Sequence, residues 1–399
     1  MARTKKTTKV VAVPNATRPY NALFVTLFAV SAALAAWLMR IETGIKGIPV
    51  NFVENVEAKV YPNGMPMRTR YTGIEAIDSG LLFLVAAFVA GPLAWDEGVR
   101  LHQLHFLVQF FAVIAVWNVE ACRARHSWKL VSFTGFFVLF YQTIAGAAVI
   151  PLYYLAFMLT SKSDAYYAGG RSVSLPYARG LLLSISIGYL LPTLAMYVPG
   201  LSVSTTQFLV FLWQPSPGFV NVLLFTASVV LPATTSSSSS SSSSQDTTTT
   251  TTTRRRAPDV KHLKRIYLAA GLVCAANHLA TLYVCATSQD PRLGFAYVFL
   301  PDRTVWTQST TAGLHYIFQV DWWGCFLPTL LWAWISVYDV HRLLLPGGAG
   351  AAALVRWAVY IVGLTVALGP GAMLAVVWSW REDRLVAIES GVRAKPKTT

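Results

Sequence analysis

Apolar runs of roughly 20 residues recur along the chain, separated by short polar stretches, and a run of about that length is what a helix needs to cross the hydrocarbon core of a bilayer. The pattern, read with its flanking Trp, Tyr, Lys and Arg residues, predicts spans at 21–39, 77–95, 101–119, 130–159, 178–198, 207–231, 266–286, 314–337 and 354–380. The expected fold is all-α, a polytopic transmembrane helical bundle with about 8–9 spans. The very short connection between 77–95 and 101–119 predicts an antiparallel hairpin. Pro151 inside 130–159 predicts a tilt or kink there. Trp213-Gln-Pro215-Ser-Pro217-Gly218 must bend or break 207–231, leaving either one kinked crossing or a re-entrant segment with a short helix. Gly369-Pro370-Gly371 interrupts the last run. The organisation that follows is a basic tail at 1–20, helices over 21–232, a Ser/Thr-rich loop at 233–258, helices over 259–380 and a tail at 381–399. The Ser/Thr repeat can bury nothing and is expected to be disordered. The first run is too long for a signal-peptide core and lacks a small-residue cleavage site, so it reads as the first transmembrane helix.

Composition agrees with this pattern. Apolar residues make up 54% of the 399 and charged ones only 13%, about half the usual soluble share. The net charge of +14 resembles a nucleic-acid signal, but the bases sit in tails and loops: Arg3, Lys5, Lys6 and Lys9, then Arg254, Arg255 and Arg256, then Arg393, Lys395 and Lys397. That distribution fits membrane orientation and anionic headgroups and excludes nucleic acid as a partner. The N-terminal tail and the 254–265 loop both point to the cytosol, yet nine spans would put the basic C-terminus on the other side, so the vote is divided. Asn15-Ala-Thr17, a glycosylation acceptor beside a cytosolic tail, is not expected to be used. The four cysteines show neither CxxC pairing nor metal spacing. His102 and His105 stand without a third ligand or an HExxH motif, and Asn277, His278 and His315 suit hydrogen bonding between helices. No aspartate-rich motif or phosphate loop is present, so no metal or other cofactor is expected and ATP-driven pumping is excluded.

The chemistry must come from the few ionisable residues inside apolar runs, each costing about 2.5–3.5 kcal/mol near the bilayer centre. Glu75 and Asp78 share one helical face at the mouth of the second run; Glu120 ends the third; Asp321 lies within the eighth. Simpler roles are open for some of them: helix capping for Glu75 and Asp78, and an ion pair with Arg123 for Glu120. If 207–231 is one full crossing, four spans separate Glu120 from the start of the eighth, and Asp78, Glu120 and Asp321 fall near one membrane surface. Aromatics accompany them: Trp117, Tyr141, Tyr153, Tyr154, Tyr316, Phe318, Trp322 and Trp323. Carboxyls in a low-dielectric pocket stay protonated and can act as acids. Aromatic faces stabilise passing cations. Together they suit protonation of a polyene or epoxide followed by a carbocation cascade.

Tyr71-Thr-Gly-Ile-Glu-Ala-Ile-Asp78, Trp117-Asn-Val-Glu120-Ala-Cys-Arg123, Tyr141-Gln142 and Pro151-Leu-Tyr153-Tyr154 resemble, in order and setting, the fungal membrane-bound terpene cyclases of meroterpenoid pathways, of the ascochlorin and ascofuranone type. The likeness is best over 71–154. It implies acid-initiated cyclisation of a prenylated, often epoxidised, aromatic precursor without metal, and it carries Glu120 and Asp78 onto the acidic positions. Asp321 joins them from the crossing count. The pocket expected around these acids comprises Trp117, Asn118, Arg123, Tyr141, Gln142, Tyr153, Tyr154, Phe318 and Trp322. The partners expected are the lipid bilayer, a hydrophobic prenylated substrate and upstream pathway enzymes, and the location is the endoplasmic reticulum. A transporter, using the Pro- and Gly-broken segments at a midplane site, and a non-catalytic membrane scaffold are the competing readings.

Overall fold

A computed structural model describes residues 16–231, 257–345 and 350–391. The Ser/Thr repeat, Asn15 and the outer parts of both tails lie outside the described residues. Among the described residues helices form and no strand does. In chain order they are α1 (Asn21–Ile45), α2 (Glu75–Phe88), α3 (Glu97–Ala121), α4 (Thr134–Thr143), α5 (Gly146–Thr160), α6 (Leu175–Ala195), α7 (Val203–Trp213), α8 (Ser216–Val230), α9 (Val260–Thr287), α10 (Thr310–Leu344), α11 (Ala351–Leu368) and α12 (Pro370–Glu389). Among the described residues five helices, α1, α3, α6, α9 and α11, are long and apolar enough to cross a membrane, or up to six if the bent pair α7–α8 counts as one. Their outer faces stay apolar. Leu23, Leu27, Val30 and Leu34 form an exposed stripe on α1, and Val355, Val359 and Val366 another on α11. Such stripes at helical spacing need an apolar solvent to cover them.

The bundle has two chemically different ends. At one, Arg18 just before α1 pairs with Asp339 near the end of α10 (2.7 Å). Arg171 ahead of α6 pairs with Asp259 ahead of α9 (3.0 Å) and with Glu382 near the end of α12 (2.6 Å). We call this the basic end. Helix α3, 25 residues and therefore roughly 37 Å long, is the central strut. Its last turn lies at the basic end, where Arg123 reaches Glu382 (2.7 Å), and its first lies at the far end, where Arg100 reaches the carbonyl of Tyr197 (2.8 Å).

The path between the ends departs from the expected one at three places. First, 77–95 is not a traverse. Helix α2 has only 14 residues, and it both starts and finishes in the far half. Tyr61, two residues from Lys59 in the groove that holds Asp78, packs on Trp95 beside the start of α3 (4.8 Å). Second, 130–159 is a V rather than a kinked span. Helix α4 runs inward from the basic end, α5 runs back out, and Trp117 of α3 packs against both, on Phe137 of α4 and Tyr153 of α5. The chain turns at Ile144–Ala145, not at Pro151, which sits inside α5. Third, 354–380 is a second V whose tip is Gly369. Its φ of +90° leaves no ready place for a side chain, and an added Cβ would lie 2.6 Å from Gln109 Oε1.

The break in 207–231, by contrast, is traversed. Helices α7 and α8 bend by 56°. α7 starts beyond Tyr197 at the far end, while α8 passes Gly188 and then Gly180 of α6, against Val220 and Ala227, on its way to the basic end. α6 and α8 are therefore antiparallel neighbours. Helices α1, α3, α6, α7–α8, α9 and α10 run between the two ends, and both V-shaped pairs start and finish at the basic end. The end of α12 thus lies at the same end of the bundle as the start of α1, against the expectation from nine spans.

Candidate active site

The tip of the first V explains why Asp321 lies in mid-bundle. A helix break leaves carbonyls bare on one side and N–H groups on the other. Here Arg40, near the end of α1, donates from Nε to the carbonyl of Ile144 (2.6 Å) and from Nη2 to that of Thr143 (3.3 Å), closing the end of α4. Asp321 on α10 does the converse: its Oδ1 accepts from the N–H of Ala147 in the first turn of α5 (2.5 Å). Each charge opposes the dipole end it meets. The Cys325 thiol, one turn on, lies 3.7 Å from the same oxygen. Oδ2 accepts no hydrogen bond from the described residues. With Oδ1 occupied as an acceptor, a proton on this carboxyl resides on Oδ2.

Asp321 lines two neighbouring spaces that share part of their walls. The outer is a cleft of about 470 Å³ whose rim includes Gly47, Asn51 and Glu54 of the loop after α1. The inner is a narrow cavity walled by Phe88, Phe106, Phe110, Tyr189 and Trp213. Tyr141, Gln142, Phe88 and Phe318 line both with Asp321. Phe88 packs edge-on against Phe318 (4.8 Å) and beside Trp213 (5.0 Å). Phe88 is therefore held in place by its aromatic neighbours. The Tyr189 hydroxyl is tied to the carbonyl of Leu107 (2.9 Å), and Gln142 to that of Gln214 (2.5 Å). The Tyr141 hydroxyl is buried without a partner among the described residues. The Asp321 carboxyl and the Tyr141 phenol thus line a largely aromatic chamber, with Gln142 and Cys325 among its other polar groups.

Gly146 makes the tip fit. A Cβ there would lie 2.8 Å from Cys325 Sγ and 3.2 Å from Asp321 Oδ1, so a branched side chain must push α10 from α5. Gly146→Val is expected to lower the thermal midpoint of the protein, through the cost of about 1–3 kcal/mol that overpacking typically carries. Thermal unfolding of the variant checks this, and an unchanged midpoint would contradict the fit.

The other acids are elsewhere. Glu120 is fully buried at the basic end. Its Oε1 accepts from Arg123 Nε (2.9 Å), Arg381 Nη1 (2.9 Å) and Trp378 Nε1 (3.0 Å). It lines none of the cavities described here. His126 beside it is pushed down to about 4 by burial and is neutral near pH 7. Asp78 sits in the far half, its Oδ1 holding the N–H of Thr72 (2.7 Å) and its Oδ2 that of Gly73 (3.0 Å). Four donors tie down that carboxylate, which closes the turn before α2. The three acids are therefore not gathered at one surface. Because the first V returns to its own side, an odd number of traverses separates Glu120 from the start of α10.

Of the expected pocket residues, Tyr141, Gln142 and Phe318 meet Asp321. Trp117, Tyr153 and Tyr154 form a packed stack below Glu120, with Trp117 and Tyr153 face to face at 3.7 Å. Asn118 and Arg123 line a separate cleft at the basic end, and Trp322 packs on Phe299 and Phe326. Phe106 and Phe110 were not foreseen in the cavity wall, although their i,i+4 spacing on α3 was visible. Trp213 and Pro217 were visible only as a break. No group of three metal-ligating side chains occurs among the described residues.

A helical bundle with a carboxyl set into an aromatic chamber at a broken helix is the class of site defined here. A model of the CtvD domain matches residues 21–387, and the chain belongs to that family. It is 25% identical over 90% of its length to terpene cyclase ascI of Acremonium egyptiacum, of which it covers 91%. It is also 25% identical over 90% of its length to terpene cyclase DEP1 of Alternaria brassicicola, covering 98%. A third relative, FAD-dependent monooxygenase verC1 of Penicillium polonicum, is 28% identical over 68% of this chain, which covers 31% of that longer protein. No solved structure matches.

Proposed function

We propose that the protein is an integral membrane terpene cyclase that converts a prenylated, epoxidised aromatic precursor into a cyclic meroterpenoid, with Asp321 as the acid. The observation that carries this reading is the free Oδ2 of Asp321 at the junction of an open cleft and an aromatic cavity. The family membership and the names of its relatives support the reaction class. The verC1 match, within a longer protein named for a monooxygenase, supports an oxidised precursor.

In the proposed reaction the Asp321 proton passes from Oδ2 to the epoxide oxygen. The C–O bond at the more substituted carbon breaks, and the neighbouring alkene π pair closes a C–C bond. The cation moves along the chain past the aromatic residues of the cleft wall, Phe52, Phe83, Phe88 and Phe318. Loss of a proton to water at the cleft mouth, or capture by the substrate's own hydroxyl that then loses one there, ends the cascade and leaves the product isomeric with the substrate, and Asp321 is reprotonated from the same water. No oxidant is consumed. The Ala147 N–H holds Oδ1 throughout, so the carboxyl keeps its aim as it gives up its proton. The aromatic head of the substrate suits the polar rim and the prenyl chain the apolar part of the same cleft of about 470 Å³, since the inner cavity holds only about 40 Å³. Helices α1, α3, α6, α7–α8, α9 and α10 are the proposed membrane crossings, with the two V-shaped pairs re-entrant, in a multi-pass protein of the endoplasmic reticulum.

Expression in a host free of such pathways, fed a mixture of prenylated aromatic epoxides, is expected to give new compounds of unchanged mass and shifted retention by mass spectrometry. Quantitative recovery of the substrates would remove the cyclase reading.

A further inference from the structure

The two ends of the bundle differ in charge as well as in position. The basic runs at 3–9, 254–256 and 393–397 lie outside the described residues, but each joins the described chain at the same end, because both V-shaped pairs return there. Within the described residues Lys129, Lys261, Arg265, Arg356 and Arg384 add to that end. Its buried acids are paired with buried arginines, Glu120 with Arg123 and Arg381, Asp339 with Arg18, and Asp259 with Arg171, while the exposed Asp383 pairs with Lys264. The far end is balanced, with Glu54, Glu57, Glu75 and Glu97 set against Lys46, Lys59, Arg68 and Arg70. Two large aromatics at the basic end, Tyr20 and Trp128, are 73% and 87% exposed, as side chains of the interfacial belt are.

We propose that the basic end faces the cytosol and its anionic headgroups, so that the Asp321 cleft opens toward the opposite leaflet. Positive residues close to the ends of spans are retained on the cytosolic side, and each adds attraction to an anionic surface. The structure turns the divided vote of the tails into one direction: the described residues next to each basic run, Arg18 ahead of α1, Asp259 ahead of α9 and Glu389 at the end of α12, are on one side. The cleft rim at Gly47, Asn51 and Glu54 belongs to the loop that follows α1, on the other side. The substrate therefore enters from the non-cytosolic leaflet, and a precursor made in the cytosol must first cross the bilayer. This rests on the membrane-crossing part of the proposed function but not on the cyclase part.

The test uses the full chain with Cys122→Ser, since Cys122 is the one cysteine among the four that is not buried. Into it go, separately, Lys129→Cys at the basic end and Met65→Cys at the far end, where Met65 is 37% exposed. Sealed microsomes with their cytosolic face outward are treated with a membrane-impermeant maleimide, before and after detergent. Both positions label after detergent, which sets the scale. Before detergent, Lys129→Cys is expected to label about tenfold more strongly than Met65→Cys. The reverse ratio overturns the orientation. Equal labelling before detergent overturns the crossing itself, and the orientation with it. Product formation is measured separately on the same membranes: the expected labelling without cyclised product would remove the cyclase reading and leave the orientation standing.

Discussion

Asp321→Asn is expected to abolish cyclisation while leaving the protein folded in its membrane. Asparagine has nearly the shape of aspartic acid, and its carbonyl oxygen can still accept from the Ala147 N–H that now binds Asp321 Oδ1. The tip of the first V therefore keeps its cap, and the aromatic cavity keeps its walls. What is lost is a transferable proton, because a side-chain amide does not act as an acid near neutral pH. A positioned general acid contributes about 10²–10⁴-fold, and an epoxide in an apolar chamber has no other donor of comparable strength. The Tyr141 phenol, the nearest alternative in the cavity lining, is too weak an acid to replace it. The effect belongs in kcat, with substrate affinity little changed, since the aromatic walls supply most of the binding. Product formation by membranes matched for protein amount checks this.

Glu120→Gln is expected to fail in the opposite way, through folding. Glu120 neutralises Arg123 and Arg381 in an environment with no exposure for the acid and almost none for its partners. Removing one partner of a buried ion pair costs about 3–5 kcal/mol because the remaining charges stay buried. Total stabilities of about 5–15 kcal/mol make that a large fraction. The expected result is a marked drop in yield and in thermal midpoint after solubilisation, with activity per folded molecule largely kept. A variant that folds normally and makes no product would move the acid from Asp321 to Glu120.

The helices were legible because an apolar window is a direct physical requirement of crossing. Their pairing into crossings was not. A run of 30 apolar residues looks the same whether it forms one tilted span or a V, and the residues that decide between them, Asp321 and Arg40, lie far away in sequence. Pro151 drew the expected kink because proline disrupts a helix locally. The turn formed six residues earlier, at Ala145, because two distant charges cap it. Gly369-Pro370-Gly371 was visible as a break, but its role as the tip of a V depends on Gln109 of α3. The crossing count that joins Asp78, Glu120 and Asp321 holds at Trp213–Gly218, which does traverse, and fails at two other places: at 77–95, which parts Asp78 from Glu120, and at 130–159, which parts Glu120 from Asp321. Asp321 itself was legible as a charge in an apolar run. So were Tyr141, Gln142 and Phe318, while Trp117, Tyr153 and Tyr154 belong to a packed stack that only long-range pairing reveals.

The central claim is that the Asp321 carboxyl starts the cascade. The most direct measurement is turnover of a synthetic prenylated aryl epoxide by detergent-solubilised wild-type and Asp321→Asn proteins, with thermal unfolding of both recorded on the same samples. The account predicts a cyclised isomer of unchanged mass from the wild type, and none above the uncatalysed background from Asp321→Asn at an unchanged thermal midpoint. Cyclisation by Asp321→Asn at the wild-type rate would contradict it.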